Sequence, residues 1–209
     1  LSLKDSMVHI NQPITILLTR EAMENIDLYN IKNVFWVMFN GLFTYIAADW
    51  DHDKDAVDAL HYWNNSSKYG LFFLDAHELT QARDSSLNCS IKQSLASRLG
   101  ASKTFVLIVG EHTNDVRAGG CQYCQSYNSY SSRCARDHNT DYRSYIEFEC
   151  DKAVRDGLKI VVLYKSFYVD KTKCPISLRM KGTHVPMIKY TNGRFEWDYL
   201  SVMRALTSW

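Results

Sequence analysis

Two stretches of the chain, "KTFVLIVG" (Lys103 to Gly110) and "LKIVVLY" (Leu158 to Tyr164), are almost unbroken apolar runs rich in β-branched residues. A strand with one face in water alternates apolar and polar side chains. A run that is apolar at nearly every position needs cover on both faces, which is the situation of a strand inside a parallel sheet. The flanking segments supply more strands and the helices to cover them. "LFTYIAADW" (Leu42 to Trp50) reads as a first strand and "LFFLDA" (Leu71 to Ala76) as a second. Between them "DKDAVDALHYWNN" (Asp53 to Asn65) reads as a helix with Ala56, Val57, Leu60 and Trp63 on one face and Asp53 or Asp55 as its capping acid. "SIKQSLASRLG" (Ser90 to Gly100) is a helix through Ile91, Leu95 and Leu99, expected to end with Gly100 in a left-handed cap. "DYRSYIEFECDKAVRDG" (Asp141 to Gly157) is a further helix. This βαβαβαβ order predicts an α/β, flavodoxin-like three-layer fold with a central parallel sheet.

The ends depart from that rhythm. "MIKYTNGRFEWD" (Met187 to Asp198) carries Asn192-Gly193 between alternating runs, the mark of a type I′ hairpin, and "YLSVMRAL" (Tyr199 to Leu206) follows as a short helix. The expected organisation is an N-terminal extension over residues 1–40 with a helix at "REAMENIDLYN", a main α/β domain over 41–170 with a Cys-rich insertion at 114–140, and a C-terminal hairpin and helix over 171–209 packed on the same domain.

Charge and hydropathy narrow the partners. With Lys+Arg 24 against Asp+Glu 23 the net charge is +1, so no nucleic acid partner and no membrane surface is favoured. The longest apolar stretch, Val34 to Ala48, is interrupted by Asn40, Gly41 and Thr44 and falls short of the roughly 20 residues of a spanning helix. The first residues lack the basic region and cleavage site of a secretory signal, and a cytoplasmic location is expected.

The helix at 141–157 contains an anomaly. Counting 3.6 residues per turn, its apolar stripe runs through Tyr145, Ile146, position 149 and Ala153, with Cys150 beside it, and position 149 is a glutamate. Glu147 falls on the rim of the stripe and Asp151 opposite it. In an open parallel sheet ligands bind beyond the carboxyl ends of the strands. Those ends here carry Asp49, Trp50, Asp51 and His52, then Asp75, His77 and Glu78, then Glu111, His112 and Thr113. With Glu149 they outline an acidic, histidine-containing cleft. No G-x-G-x-x-G, no G-x-x-x-x-G-K-[ST] and no G-x-S-x-G occurs, which disfavours a Rossmann hydride-transfer site, a P-loop NTPase and an α/β-hydrolase.

"TYIAAD", "FFLDAHELTQARDSS", "IKQSLASRLGASKTFVLIVGEHT" and "EFECDKAVRDGLKIVVLY", in this order over Gly41 to Lys165, resemble the TIR-like proteins of bacteria, and most the group that includes the Thoeris anti-phage defence sensor. TIR domains carry a tryptophan four residues before a glutamate on the helix after the third strand. Tyr145 takes the aromatic position here and Glu149 that of the glutamate, and the insertion before this helix is unusually long. The resemblance implies that Glu149 is the catalytic carboxylate of an enzyme that takes NAD as substrate and cleaves its nicotinamide–ribose bond, with transfer to water or cyclisation to an ADP-ribose-type signal. It also implies a small-molecule dinucleotide as partner, met by Ala48, Asp49, His52, Asp75, His77, Arg83, Glu111 and Tyr145, and a homo-oligomer through TIR-like surfaces. A neutral pyridine leaves without a general acid, so one carboxylate suffices where ordinary glycosidases need two. Arg83 or Arg143 is expected to keep a buried Glu149 ionised. Because many TIR domains are adaptors, a non-enzymatic interaction or nucleotide-binding module is the alternative.

Within the insertion, Cys121, Cys124, Cys134 and His138 form C-x2-C-x9-C-x3-H, the knuckle and terminal spacing of a structural zinc site. Three unpaired thiols in a loop are the competing reading, and Tyr123, Tyr127 and Tyr130 nearby would equally suit a partner surface. Cys89, Cys150 and Cys174 read as small core or loop residues.

Overall fold

The computed structural model describes residues 43–76 and 87–208. The N-terminal extension, the early helix and the sites expected at His77, Glu78 and Arg83 lie outside the described residues. A five-stranded sheet forms the centre: β1 (Phe43–Ala47), β2 (Leu74–Asp75), β3 (Thr104–Val109), β6 (Lys159–Tyr164) and β7 (Thr183–Pro186), in the order β2-β1-β3-β6-β7 and parallel throughout. In the insertion, β4 (Tyr127–Asn128) pairs antiparallel with β5 (Arg133–Cys134). Near the C-terminus β8 (Ile188–Thr191) and β9 (Arg194–Trp197) form the expected hairpin, with Asn192 and Gly193 at φ 52 and 79 as a type I′ turn requires.

The expectation of two covered faces is met residue by residue. Tyr45, Phe105, Leu107, Ile160 and Val162 point to one side of the sheet, against α2 (Asn88–Ala101) and α3 (Tyr145–Arg155) through Leu95, Leu99, Ile146 and Ala153. Ile46, Val106, Ile108, Val161 and Leu163 point to the other, against α1 (Lys54–Asn65) and α4 (Tyr199–Thr207) through Val57, Leu60, Trp63 and Val202. Both sets are nearly inaccessible to solvent, so β3 and β6 carry apolar residues throughout.

Four local expectations are corrected. Gly100 does not end α2: the helix continues to Ala101 without a positive φ at Gly100, and the Ser102 N–H closes it on Leu99 O. Asp53 precedes α1 but its side chain accepts no capping hydrogen bond; its carboxylate turns inward, only 2% exposed. The second strand is two residues rather than six, because Asn64 on α1 binds both the N–H and the C=O of Phe73 and takes the place of a strand neighbour. A fifth parallel strand, β7, was not expected; the chain enters it at Gly182, φ +74, where a Cβ would fall 2.2 Å from Ile160 O.

Asp53 takes up space that position 110 would otherwise need. A Cβ on Gly110 would lie 2.0 Å from Asp53 Oδ1. Lys165 Nζ stands 3.5 Å from that oxygen and 2.6 Å from Asp55 Oδ1, while Asp53 Oδ2 is buried with no hydrogen-bond partner among the described residues. Burial, only partly offset by Lys165, pushes the Asp53 carboxyl up.

A candidate functional groove at the carboxyl edge of the sheet

In the order β2-β1-β3 the sheet grows outward in opposite senses from β1, to β2 on one side and to β3 on the other, and open α/β sheets leave a crevice between the strands at such a point. Chain leaving β1 turns sharply there, with His52 N–H and Asp53 N–H both donating to Asp49 O. The groove is lined on this side by Ala47 to Asp51, by Ile91 and Leu95 of α2, by Val116 and Ala118 after β3, and by Tyr145, Ile146 and Glu149 of α3. Its volume is ≈ 250 Å³.

Glu149 is buried, at 6% exposure, in the apolar stripe where the helical period puts it. The Tyr45 hydroxyl donates to Glu149 Oε1 at 2.6 Å, a bond that joins β1 to α3 across the layer. A hydrogen bond to a buried carboxylate favours its ionised form. Burial and the neighbouring Glu149 charge raise the Tyr45 phenol well above its ordinary range, so Tyr45 stays a proton donor. Arg143 does not take the role expected of it. Its guanidinium is held by Asp141, at 2.9 and 2.8 Å, and by Asp151 at 2.9 Å.

The start of α3 is fixed by contacts that the helical wheel did not reveal. The helix begins at Tyr145 and not at Asp141, with Ser144 as N-cap: Glu147 N–H donates to Ser144 Oγ, and Ser144 N–H donates to Glu147 Oε2 at 2.7 Å. This is a capping box, and it gives the exposed Glu147 a structural task. Glu147→Ala should cost on the order of 0.5–1 kcal/mol of stability, read as a lowered Tm, without changing any chemistry at Glu149. Lys92, buried in α2, donates to Arg143 O at 2.6 Å and pairs with Asp141 at 3.3 Å. Burial pushes the Asp141 carboxyl up, but the Arg143 hydrogen bonds and the Lys92 charge outweigh it and hold the group at about 2, against an ordinary 3.8. A carboxyl whose pKa falls on folding stabilises the fold above its unfolded value and loses that contribution as pH falls through the folded one. Stability should therefore drop between about pH 4 and about pH 2, and Asp141→Asn should flatten that limb of a Tm-against-pH curve. Parallel wild-type and mutant curves across this range would refute the assignment.

Tyr145 forms the aromatic wall. Its hydroxyl donates to Asn88 Oδ1 at 3.1 Å, its backbone N–H to Ala118 O at 2.8 Å, and burial raises its phenol. The ring packs on Gly119, φ +101, where a Cβ would stand 2.6 Å from Tyr145 Cδ1.

Of the residues expected from sequence, Ala48, Asp49, Tyr145 and Glu149 meet at this groove. His52 stands just outside it, 2.9 Å from Asp49 Oδ2 and with its ring centroid 4.6 Å from that of His112. Asp75 is drawn away: it is buried 3.1 Å from His61 Nε2 on the α1 side of the sheet. Glu111 is exposed and pairs with Lys173. Cys121, Cys124, Cys134 and His138 line a separate small cavity behind the Tyr145 wall, and among the described residues no three metal-binding side chains already converge on one point. Tyr127 packs edge-on against Tyr142, while Tyr123 and Tyr130 face solvent. Sequence reading missed Tyr45, whose signal was a phenol inside an apolar strand that must find a buried partner. It also missed Asn88, Val116 and Ala118, which carry no recognisable pattern.

Arg98 is also buried on α2, and no helix among the described residues is long and apolar enough to cross a membrane. Residues 43–118 match a family described as "Thoeris protein ThsB, TIR-like domain". The matched segment contains β1 to β3 and the Ala48–Asp49 wall; it stops before α3 and Glu149. No curated protein matches the chain.

Proposed function

From the match of residues 43–118 to the TIR-like domain of Thoeris protein ThsB, we propose that this protein consumes NAD, cleaving its nicotinamide–ribose bond in the service of anti-phage defence. The observation that carries the reading is the buried Glu149 carboxylate, held by Tyr45 at 2.6 Å and open to a groove walled by Tyr145 and Ala48–Asp49. Departure of neutral nicotinamide leaves an oxocarbenium on the ribose, and a desolvated anion beside it stabilises that charge more strongly than water would. The same carboxylate can hold the ribose hydroxyls, and the Tyr145 ring offers a face for a planar base. Ile91, Leu95, Val116, Ala118 and Ile146 line the groove with apolar surface, which would restrict water around a bound dinucleotide. That restriction favours attack by another part of the same dinucleotide, giving a cyclic ADP-ribose-type product, over hydrolysis.

The test is incubation of the full chain with NAD, alone and in extract of phage-infected cells, with nicotinamide and ADP-ribose products separated by chromatography. Release of nicotinamide, with cyclised product exceeding free ADP-ribose, is expected. NAD binding by calorimetry without release in either setting would instead establish a non-enzymatic nucleotide-binding module.

A further inference from the structure

The Cys-rich insertion has almost nothing apolar to hold it together. From Gln122 to Asn139 every residue is exposed or half-buried, and its only regular structure is the end of a 3-10 turn at Cys121–Tyr123 and the two-residue pairing of β4 with β5. The segment nevertheless folds back on itself through a series of tight turns. Cys124 N–H donates to Cys121 O, Tyr127 N–H to Cys124 O, and Asp137 N–H to Cys134 O. The register Tyr127↔Cys134 sets Cys134 across from the end of the C-x2-C turn. Four thiols and an imidazole consequently surround one cavity: Cys121, Cys124, Cys134, His138 and, unexpectedly, Cys89 from the first turn of α2. The cavity measures ≈ 10 Å³, room for one small ion and no organic ligand.

We propose that Cys89, Cys121, Cys124 and Cys134 hold a structural Zn²⁺, with Cys89 and not His138 as the fourth ligand. Cys89 and the other three are at least half-buried, whereas His138 is exposed. Zinc prefers four thiolates in a closed tetrahedron, with Zn–S bonds of about 2.3 Å; among the described residues no three such side chains yet converge, so binding would draw these cysteines together around the ion. Four thiolates around one dication leave a net negative cluster, and two features of the fold offset it. The N-terminus of the 14-residue α2 directs its positive end at Cys89, and the Asp141 N–H already donates to Cys121 Sγ at 3.1 Å. Each thiol releases its proton on metal binding, so affinity falls with acidification. Such an ion gives the coreless insertion its reason to fold and pins it to α2, beside Asn88, whose side chain donates to Gly120 O and accepts from the Tyr145 hydroxyl.

The full chain, purified under reducing conditions from zinc-containing medium, should contain about one zinc per chain by mass spectrometry. Its metal-free form should bind Co²⁺ with thiolate charge-transfer bands and the d–d pattern of a four-sulfur tetrahedron, displaced by Zn²⁺. Cys89→Ser should abolish stoichiometric binding, His138→Ala and Cys150→Ser should keep it, and Cys89→His should restore it with a three-sulfur, one-nitrogen spectrum, which separates loss of a ligand from loss of fold. Wild-type protein with neither zinc nor cobalt bands, or an intact mass lighter by the hydrogens of a disulfide, would overturn the site. Loss of metal in His138→Ala with an unchanged spectrum in Cys89→Ser would overturn the choice of ligand.

Discussion

Glu149→Gln should reduce nicotinamide release by about 100-fold or more while leaving the fold intact. The substitution keeps the shape and leaves an amide oxygen to accept from the Tyr45 hydroxyl, which is 2.6 Å from the carboxylate in the wild type. What it removes is the negative charge, and the charge is what an oxocarbenium selects for over ground-state NAD. The fall should accordingly appear in kcat with little change in KM. Tyr45→Phe should give a smaller loss with the same signature, because it removes one donor from the buried carboxylate and leaves the charge in place. Glu147→Ala supplies the contrast on the same helix, since its side chain closes the capping box and faces away from the groove. Activity retained in Glu149→Gln, or lost in Glu147→Ala at full stability, would show that the reacting centre had been put on the wrong acid.

Gly119→Ala should be the second largest effect, and it tests the opposite wall. At φ +101 an alanine is strained whatever its surroundings, and its Cβ would come within 2.6 Å of Tyr145 Cδ1 and 2.7 Å of the Tyr145 backbone nitrogen. The nitrogen cannot retreat easily, because it donates to Ala118 O and begins α3. The ring must swing away from the groove, taking Asn88 with it. NAD affinity should fall at least about tenfold, measured by calorimetry, with near-ultraviolet circular dichroism reporting the displaced tyrosine. Wild-type affinity in this variant would mean that the aromatic wall does not meet the ligand.

The parallel sheet was legible because its central strands announce themselves: apolar side chains at consecutive positions have no other stable setting in a chain of this composition. β7 was not, since it has only four residues, one a proline, and its place beside β6 depends on the close approach at Gly182, which spacing alone does not encode. Glu149 was legible as a violation of the helical period. Tyr45 was hidden by the same rule, for a tyrosine in an apolar strand looks like core until the opposite helix is in place. The start of α3 was misread because Tyr142 and Tyr145 fall on one face of a wheel, although Ser144 and Glu147 carried the capping-box spacing in plain view. Cys89 belongs to a helix 32 residues before the knuckle's glycine, Gly120, that Asn88 reaches. No local pattern connects the two.

The buried contact between Asp53 and Gly110 restricts how a sequence of this fold can vary. The carboxylate fills the space where any side chain at position 110 would begin, so a larger residue there has to wait until position 53 has lost its own bulk. Shortening Asp53 first opens a gap beneath Lys165 and leaves its ammonium to Asp55 and the His52 carbonyl. Each step is unfavourable before the other has occurred. The two positions, one at the mouth of α1 and the other at the end of β3, are therefore expected to vary as a pair, and related chains should divide into those with glycine at 110 and an acid at 53, and those with neither.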